Sequence, residues 1–195
     1  ILKICHKHKL FLIFPSTASF SPKKSTKKVK KLKVFNYYTM AKSECEKMIL
    51  SYNKNFNINY TILRIFNVYG PGQDITTGKL IINVIKKSLN DEDIYIFGSG
   101  RQIMDFIYID DVISNLVFAA NNIEKNDKSP YDLGSGTGVT ILDAVETIIE
   151  LTNSNSKIIF KPSRSGDKML KVIADKKRLF NNKAKFISLQ VGIEN

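Results

Sequence analysis

Cysteine and histidine are nearly absent from this chain, with two of each in 195 residues. Cys5 and Cys45 fall in segments with helical pattern and show no metal-ligand spacing, which argues against a metal site. His6 and His8 are two residues apart, diverge on a helix and read as surface residues. No run approaches the ~18 apolar residues that a membrane span needs. The basic start is followed by an apolar run of only five residues, Leu10–Phe14, so no secretory signal is expected. These absences predict a cytoplasmic protein without a membrane partner. No GxxGxxG or GxGxxG occurs before Tyr38, and no internal repeat is visible. Hydrophobic residues make up 43% of the chain, a globular share.

The charge is one-sided, at +12. Seven lysines fall within Lys23–Lys33. Such a run could attract nucleic acid or an acidic surface. It holds no arginine and no interleaved aromatic residue of the kind that stacks on bases. A solvated loop is the better reading, with no nucleic-acid partner. Its field would also draw in an anionic small molecule.

Among the residues that are present, Tyr38 and Lys42 stand out. They lie four apart among helix formers, so a helix puts them on one face. An ammonium held beside a phenol favours the phenolate, which can serve as a general base toward a hydroxyl. Two unrelated residues on a solvated helix face would show the same spacing, so the flanking features carry the argument. Upstream, Leu10–Phe14 has the length of a buried strand and runs into Pro15, Ser16, Thr17, Ala18 and Ser19. Parallel α/β sheets bind ligands at such strand ends. Ordinary turn chemistry is the preferred reading for Ser16, Ser19 and Ser21.

The pattern predicts a helix over Thr39–Asn55 with Met48, Ile49 and Tyr52 toward a core, and a strand over Tyr60–Phe66. A loop over Asn67–Gly72 follows, then a helix over Leu80–Leu89 and a strand over Ile94–Phe97. Asp110 and Thr140 are candidate helix caps. Strands are expected at Tyr131–Leu133 and Lys157–Lys161. Helices are expected at Ile141–Leu151, Asp175–Phe180 and from Leu189 onward. Alternating strands and helices give an α/β fold with a parallel sheet.

In this order, the motifs resemble those of the extended short-chain dehydrogenase/reductases, and among them the NAD-dependent nucleotide-sugar epimerases and dehydratases. Ser16 and Thr17 resemble that family's catalytic strand end. Tyr38 and Lys42 match its YxxxK, with Glu46 in the trailing position. Arg64–Gly72 is similar to RxFNxYGPG, and Gly98–Asp111 to GxGxxxRDFIxVDD. Tyr131–Gly136 is similar to YNLGSG, Arg164–Asp167 to RxGD, and Ala174 with Asp175 to AD.

The resemblance implies a partial Rossmann-like parallel sheet with helices and a smaller C-terminal substrate-binding lobe. Residues 1–90 would be a truncated Rossmann-like domain carrying the Tyr–Lys pair. Residues 91–195 would be mainly the lobe, with the chain interleaving between the two. It further implies a 4-epimerase using NAD, with Tyr38, Lys42 and Thr17 catalytic. The cofactor would meet Tyr38, Lys42, Phe66 and Thr17. A nucleotide-sugar, expected to be a UDP-sugar, would meet Asn67, Tyr95, Ile96, Phe97, Arg164 and Asp167. No metal is implied, and the full-length parent is expected to be a homodimer.

Three departures qualify the resemblance. Ala18 and Ser19 follow Thr17 where the family's dehydratases, and several of its decarboxylases, carry an acid, which favours epimerisation. Met104 stands where the family has a diphosphate-binding arginine, and Arg101 is a possible substitute. The position that helps set sugar size falls at Lys171 or Val172. With no early glycine-rich turn, the chain reads as the C-terminal part of a longer protein or as a degraded frame. As it stands it is expected to bind NAD poorly and turn over nothing. A non-catalytic remnant is the alternative of a different class.

Overall fold

The computed structural model describes residues 1–20, 37–122, 130–163 and 171–195. The lysine run, Ser21, Arg164 and Asp167 lie outside the described residues. The chain starts with helix α1 (Leu2–His8) and strand β1 (Phe11–Thr17). β1 continues three residues past the predicted Phe14, through Pro15. A 3-10 turn (Ala18–Phe20) follows. Helix α2 (Tyr37–Phe56) then leads into strand β2 (Asn59–Ile65). The buried residues of α2 are Thr39, Glu46 and Ile49. Met48 was expected in the core but is 61% exposed. One residue turns a helix by about 100°, so Met48 falls off the stripe that Ile49 buries.

Next come β3 (Asn67–Tyr69), α3 (Leu80–Leu89), β4 (Ile94–Phe97), β5 (Ile103–Met104) and β6 (Phe106–Tyr108). The expected loop after Phe66 is therefore partly strand. β3 pairs in parallel with β6, from Asn67 opposite Phe106 to Tyr69 opposite Tyr108. Helix α4 (Ile109–Asn121) is N-capped by the backbone of Tyr108, not by Asp110. Asp110 and Asp111 fall in its first turn, where the helix dipole favours negative charge.

The chain ends with β7 (Tyr131–Leu133), β8 (Val139–Thr140), α5 (Ile141–Leu151), β9 (Ile158–Lys161), β10 (Lys171–Val172) and α6 (Leu189–Glu194). Thr140 caps α5, its hydroxyl accepting from the Asp143 amide at 3.0 Å. The short helix expected at Asp175–Phe180 is instead a turn. The Asp175 carboxylate accepts from the Lys177 amide at 3.0 Å, and Leu179 bridges back to Asp132. An aspartate that bonds the backbone two residues on competes with helix in this way.

β1, β2 and β7 form a parallel sheet in the order β1–β2–β7. Its register lines up Ser16, Arg64 and Asp132 across the three strands. One side carries Ile49, Tyr60 and Ile62, with Leu12 and Phe14 against them; another core gathers Leu63, Ile107, Val112 and Leu133. β4 pairs with β9, and β5 lies between β10 and β8. Around these, α3, α5 and α6 enclose Ile81, Val84, Val145 and Ile148. Among the described residues no helix is long and apolar enough to cross a membrane.

Candidate active site

Tyr38 and Lys42 occupy the first two turns of α2, and the helix brings them to the C-terminal end of β1. Lys42 Nζ donates to the carbonyl oxygen of Pro15 at 2.7 Å. The same nitrogen stands 5.0 Å from the centre of the Phe14 ring and 5.9 Å from that of Tyr38, within reach of a cation–π attraction. Tyr38 is 57% exposed, so its phenol is open to a substrate. Thr17 is buried at the end of the same strand. Its hydroxyl lies 3.0 Å from that of Ser19 and accepts from the Ser19 amide at 3.2 Å. Ser19 thus follows the expected turn chemistry, whereas the hydroxyl of buried Ser16 has no partner among the described residues. Among the described residues no hydrogen bond joins Thr17 to Tyr38; Lys42 makes the link between α2 and the strand end.

Phe66 leaves β2 beside this point. It is buried with Ala18 and Ala174, with Val172 and Leu179 packed against them. Of the two positions considered for sugar size, Val172 joins this cluster and Lys171 is exposed. Asn67 is tied to the neighbouring strand, its side-chain amide donating to the Asp105 carbonyl at 2.9 Å.

Asp105 itself is fully buried. Its carboxylate accepts from the Ser135 amide at 2.8 Å, the Ser135 hydroxyl at 2.6 Å, the Gly136 amide at 2.9 Å and the Ala174 amide at 3.1 Å. Three motifs far apart in sequence therefore meet on one side chain. Gly134 is required by the close packing here. A Cβ on it would stand 2.8 Å from Asp105 Oδ2, 2.9 Å from Ala174 Cβ and 3.0 Å from Phe66 Cδ2.

Tyr95 and Phe97 form a second exposed face on the β4–β9 pair. Lys87 and Lys161 each place an ammonium about 5 Å from the Tyr95 ring, at 4.9 and 5.0 Å. Ile96 alternates inward and is packed in the core, so its side chain supports this face from behind. Met104 is half-buried against the same core, and Arg101 is exposed.

An ion network was not anticipated from the sequence. Arg64 grips Glu46 with two parallel bonds, Nε to Oε1 at 3.0 Å and Nη2 to Oε2 at 2.7 Å. Asp132, opposite Arg64 in the register, accepts from the Asp175 amide at 3.2 Å and lies 3.7 Å from Arg178. Burial pushes the Asp132 carboxyl above its ordinary range, against the Asp175 hydrogen bond and the charges of Arg178 and Arg64. The signal available in sequence was the i, i+4, i+8 series Tyr38, Lys42, Glu46, which a helix aligns.

Residues 1–134 match the NAD dependent epimerase/dehydratase family. UDP-glucuronic acid decarboxylase 1 of Danio rerio is 32% identical over 130 residues, 67% of this chain and 30% of that protein. The chain thus spans under a third of that relative's length. Among solved structures, UDP-glucuronic acid 4-epimerase of Bacillus cereus, in complex with UDP-glucuronic acid and NAD, is 31% identical with a TM-score of 0.79. This chain is covered to 99% and that one to 62%. UDP-glucose 4-epimerase of Thermotoga maritima, with UDP-glucose, is 27% identical with a TM-score of 0.79, over 99% of this chain and 64% of that one.

Proposed function

The chain belongs to the NAD dependent epimerase/dehydratase family, and from that premise we propose that its full-length parent is a UDP-sugar 4-epimerase. The observation that carries this reading is the bond from Lys42 to the Pro15 carbonyl, which sets the phenol–ammonium pair over the strand end that bears Thr17. The residues present suit the nicotinamide half of NAD. Ala18 and Phe66 give an apolar wall at the strand end, and Tyr38, Lys42 and Thr17 supply the polar contacts beside it. NAD, when bound, would supply the hydride acceptor and donor for C4 of the sugar. Tyr38 takes the proton of the 4-hydroxyl and later returns it to the same oxygen. Thr17 turns its hydroxyl from Ser19 to that oxygen and orients it. Lys42 holds positive charge beside the Tyr38 ring and would hold the nicotinamide ribose. Inversion would require the transient 4-keto sugar to turn over in the site and present its other face.

Asn67, Tyr95, Ile96 and Phe97 are proposed on the nucleotide side, together with Arg164 and Asp167. Lys87 and Lys161, flanking Tyr95, would add positive charge there for the anionic diphosphate. The parent is proposed to be a homodimer through α2, whose Met40 and Met48 are exposed.

The likeness to the zebrafish decarboxylase favours a second reading, loss of CO2 from a UDP-uronic acid after oxidation at C4. Ala18 and Ser19, which provide no acid beside Thr17, weigh for epimerisation. One experiment tests both. The full-length parent is assayed with UDP-glucose, UDP-N-acetylglucosamine and UDP-glucuronic acid, beside Tyr38→Phe. Inversion at C4 that falls at least about 100-fold in the variant is expected. Release of CO2 would replace the first reading by the second. A Tyr38→Phe enzyme of undiminished rate would overturn both.

A further inference from the structure

The helix that carries Tyr38 and Lys42 has little apolar grip on the sheet. Of its 20 residues, the buried ones are Thr39, Glu46 and Ile49. One of the three is an acid, and its partner Arg64 is anchored in the central strand β2. Thin hydrophobic packing tolerates sliding and rotation of a helix, because dispersion contacts are non-directional. A two-bond carboxylate–guanidinium fork is directional, fixing distance and angle together.

Two polar anchor points of α2 lie on one face. Lys42 reaches Pro15 of β1, and Glu46, one turn further on, reaches Arg64 of β2. Tyr38 continues the same row one turn the other way, so Tyr38 and Glu46 are separated by about 12 Å along the axis. Behind Arg64 stands Asp132, its cross-strand partner and a second source of negative charge. Side-chain exposure is 11% for Arg64 and 5% for Glu46. Neither charge can turn to water without moving the helix, and loss of Arg64 takes from the buried Glu46 carboxylate the two bonds that hold it.

We infer that the Glu46–Arg64 pair is a positioning device that fixes the register of α2, and through it the seat of Lys42 over the end of β1. It touches neither substrate nor cofactor and acts through the Tyr38–Lys42 turn. The inference rests on the proposed function for its significance, but its test needs no substrate.

The full chain is reductively dimethylated with 13C-formaldehyde, which labels lysines and retains their charge. Lys42, above the Phe14 ring, gives a methyl signal displaced upfield by the ring current, assigned by its disappearance in Lys42→Arg. Arg64→Lys keeps the charge but removes the fork, and Glu46→Gln keeps the shape but removes the charge. In both, the Lys42 signal is expected to lose its displacement and join the other lysines. Ile49→Val shortens a buried side chain of the same helix, and there the displaced signal is expected to persist although the thermal midpoint falls. If Arg64→Lys and Glu46→Gln fold and keep a displaced Lys42 signal, the inference is overturned. Should either variant fail to fold, the milder Glu46→Asp serves, where one lost methylene withdraws the carboxylate and a partial loss of displacement is expected. An unshifted Glu46→Asp signal overturns the inference as well. Collapsed Lys42 signals in both variants, beside an unmutated parent that shows no epimerase activity, would sink the proposed function and leave this inference standing.

Discussion

Replacing Asp105 by asparagine removes one charge and almost no volume, and the structure sets its cost. Four donors converge on the carboxylate. Asparagine offers one acceptor oxygen and one donor NH2. If the NH2 takes the Oδ2 place, the Gly136 and Ala174 amides both face a donor. If it takes the Oδ1 place, the Ser135 hydroxyl can rotate and accept, and only the Ser135 amide is left facing a donor. The second orientation is cheaper and should be adopted. Its cost is one orphaned amide, about 1–3 kcal/mol, plus weakening of the remaining bonds once the charge is gone. The sum is about 2–4 kcal/mol. Ser135→Ala removes the hydroxyl's bond to Asp105 and its exposed contacts with the Thr137 amide and carbonyl, and should cost about 1–2 kcal/mol. Urea unfolding at pH 7, followed by far-UV circular dichroism, measures both. An Asp105→Asn midpoint indistinguishable from the unmodified chain, or a Ser135→Ala loss larger than that of Asp105→Asn, would refute the reasoning.

Other expectations follow from the same contacts. Asp132 has a folded pKa above its unfolded value of about 3.9, so its contribution is fully present below pH ~4 and is lost as pH rises through the folded value. Relative to Asp132→Asn, the unmodified chain should therefore weaken as pH rises from about 4, and urea midpoints that run parallel would count against it. Asp91 has a lowered pKa, held down first by the Asn155 amide and then by the Ser154 hydroxyl. Its contribution is present above the unfolded value and lost as pH falls through the folded one; Asp91→Asn should flatten the acid limb of the urea-midpoint curve. Thr140→Ala removes the cap of α5 and should cost about 0.5–2 kcal/mol, read by thermal melting, with restoration expected in Thr140→Ser.

Local pattern carried much of the fold. α3 and α5 were legible because their apolar residues repeat at helical spacing over ten or more positions, and their observed bounds are the expected ones. β4 alternates buried and exposed residues and was equally legible. The pairs β3 with β6 and β5 with β10 were not, since strands of two or three residues show no period. They exist because distant segments supply their partners. At the site, helical spacing was enough to put Tyr38 and Lys42 one turn apart. What they rest on was hidden: Pro15 offers only a carbonyl, which any residue has. The gathering of Ser135, Gly136 and Ala174 on Asp105 spans up to 69 residues and leaves no local trace. Glu46 and Arg64 were visible as motif letters, yet their pairing is a property of how α2 crosses β2. Asp175–Phe180 failed as a helix because the aspartate side chain satisfied the backbone first.

Lys42 is anchored by the Pro15 carbonyl, a neutral acceptor. Had a carboxylate stood there, it would have held the side chain equally well and neutralised it. Among the described ion pairs none involves Lys42. The anchor therefore holds the cation without a counter-charge among the described residues, so an oxyanion arising next to it would meet opposite charge already in place.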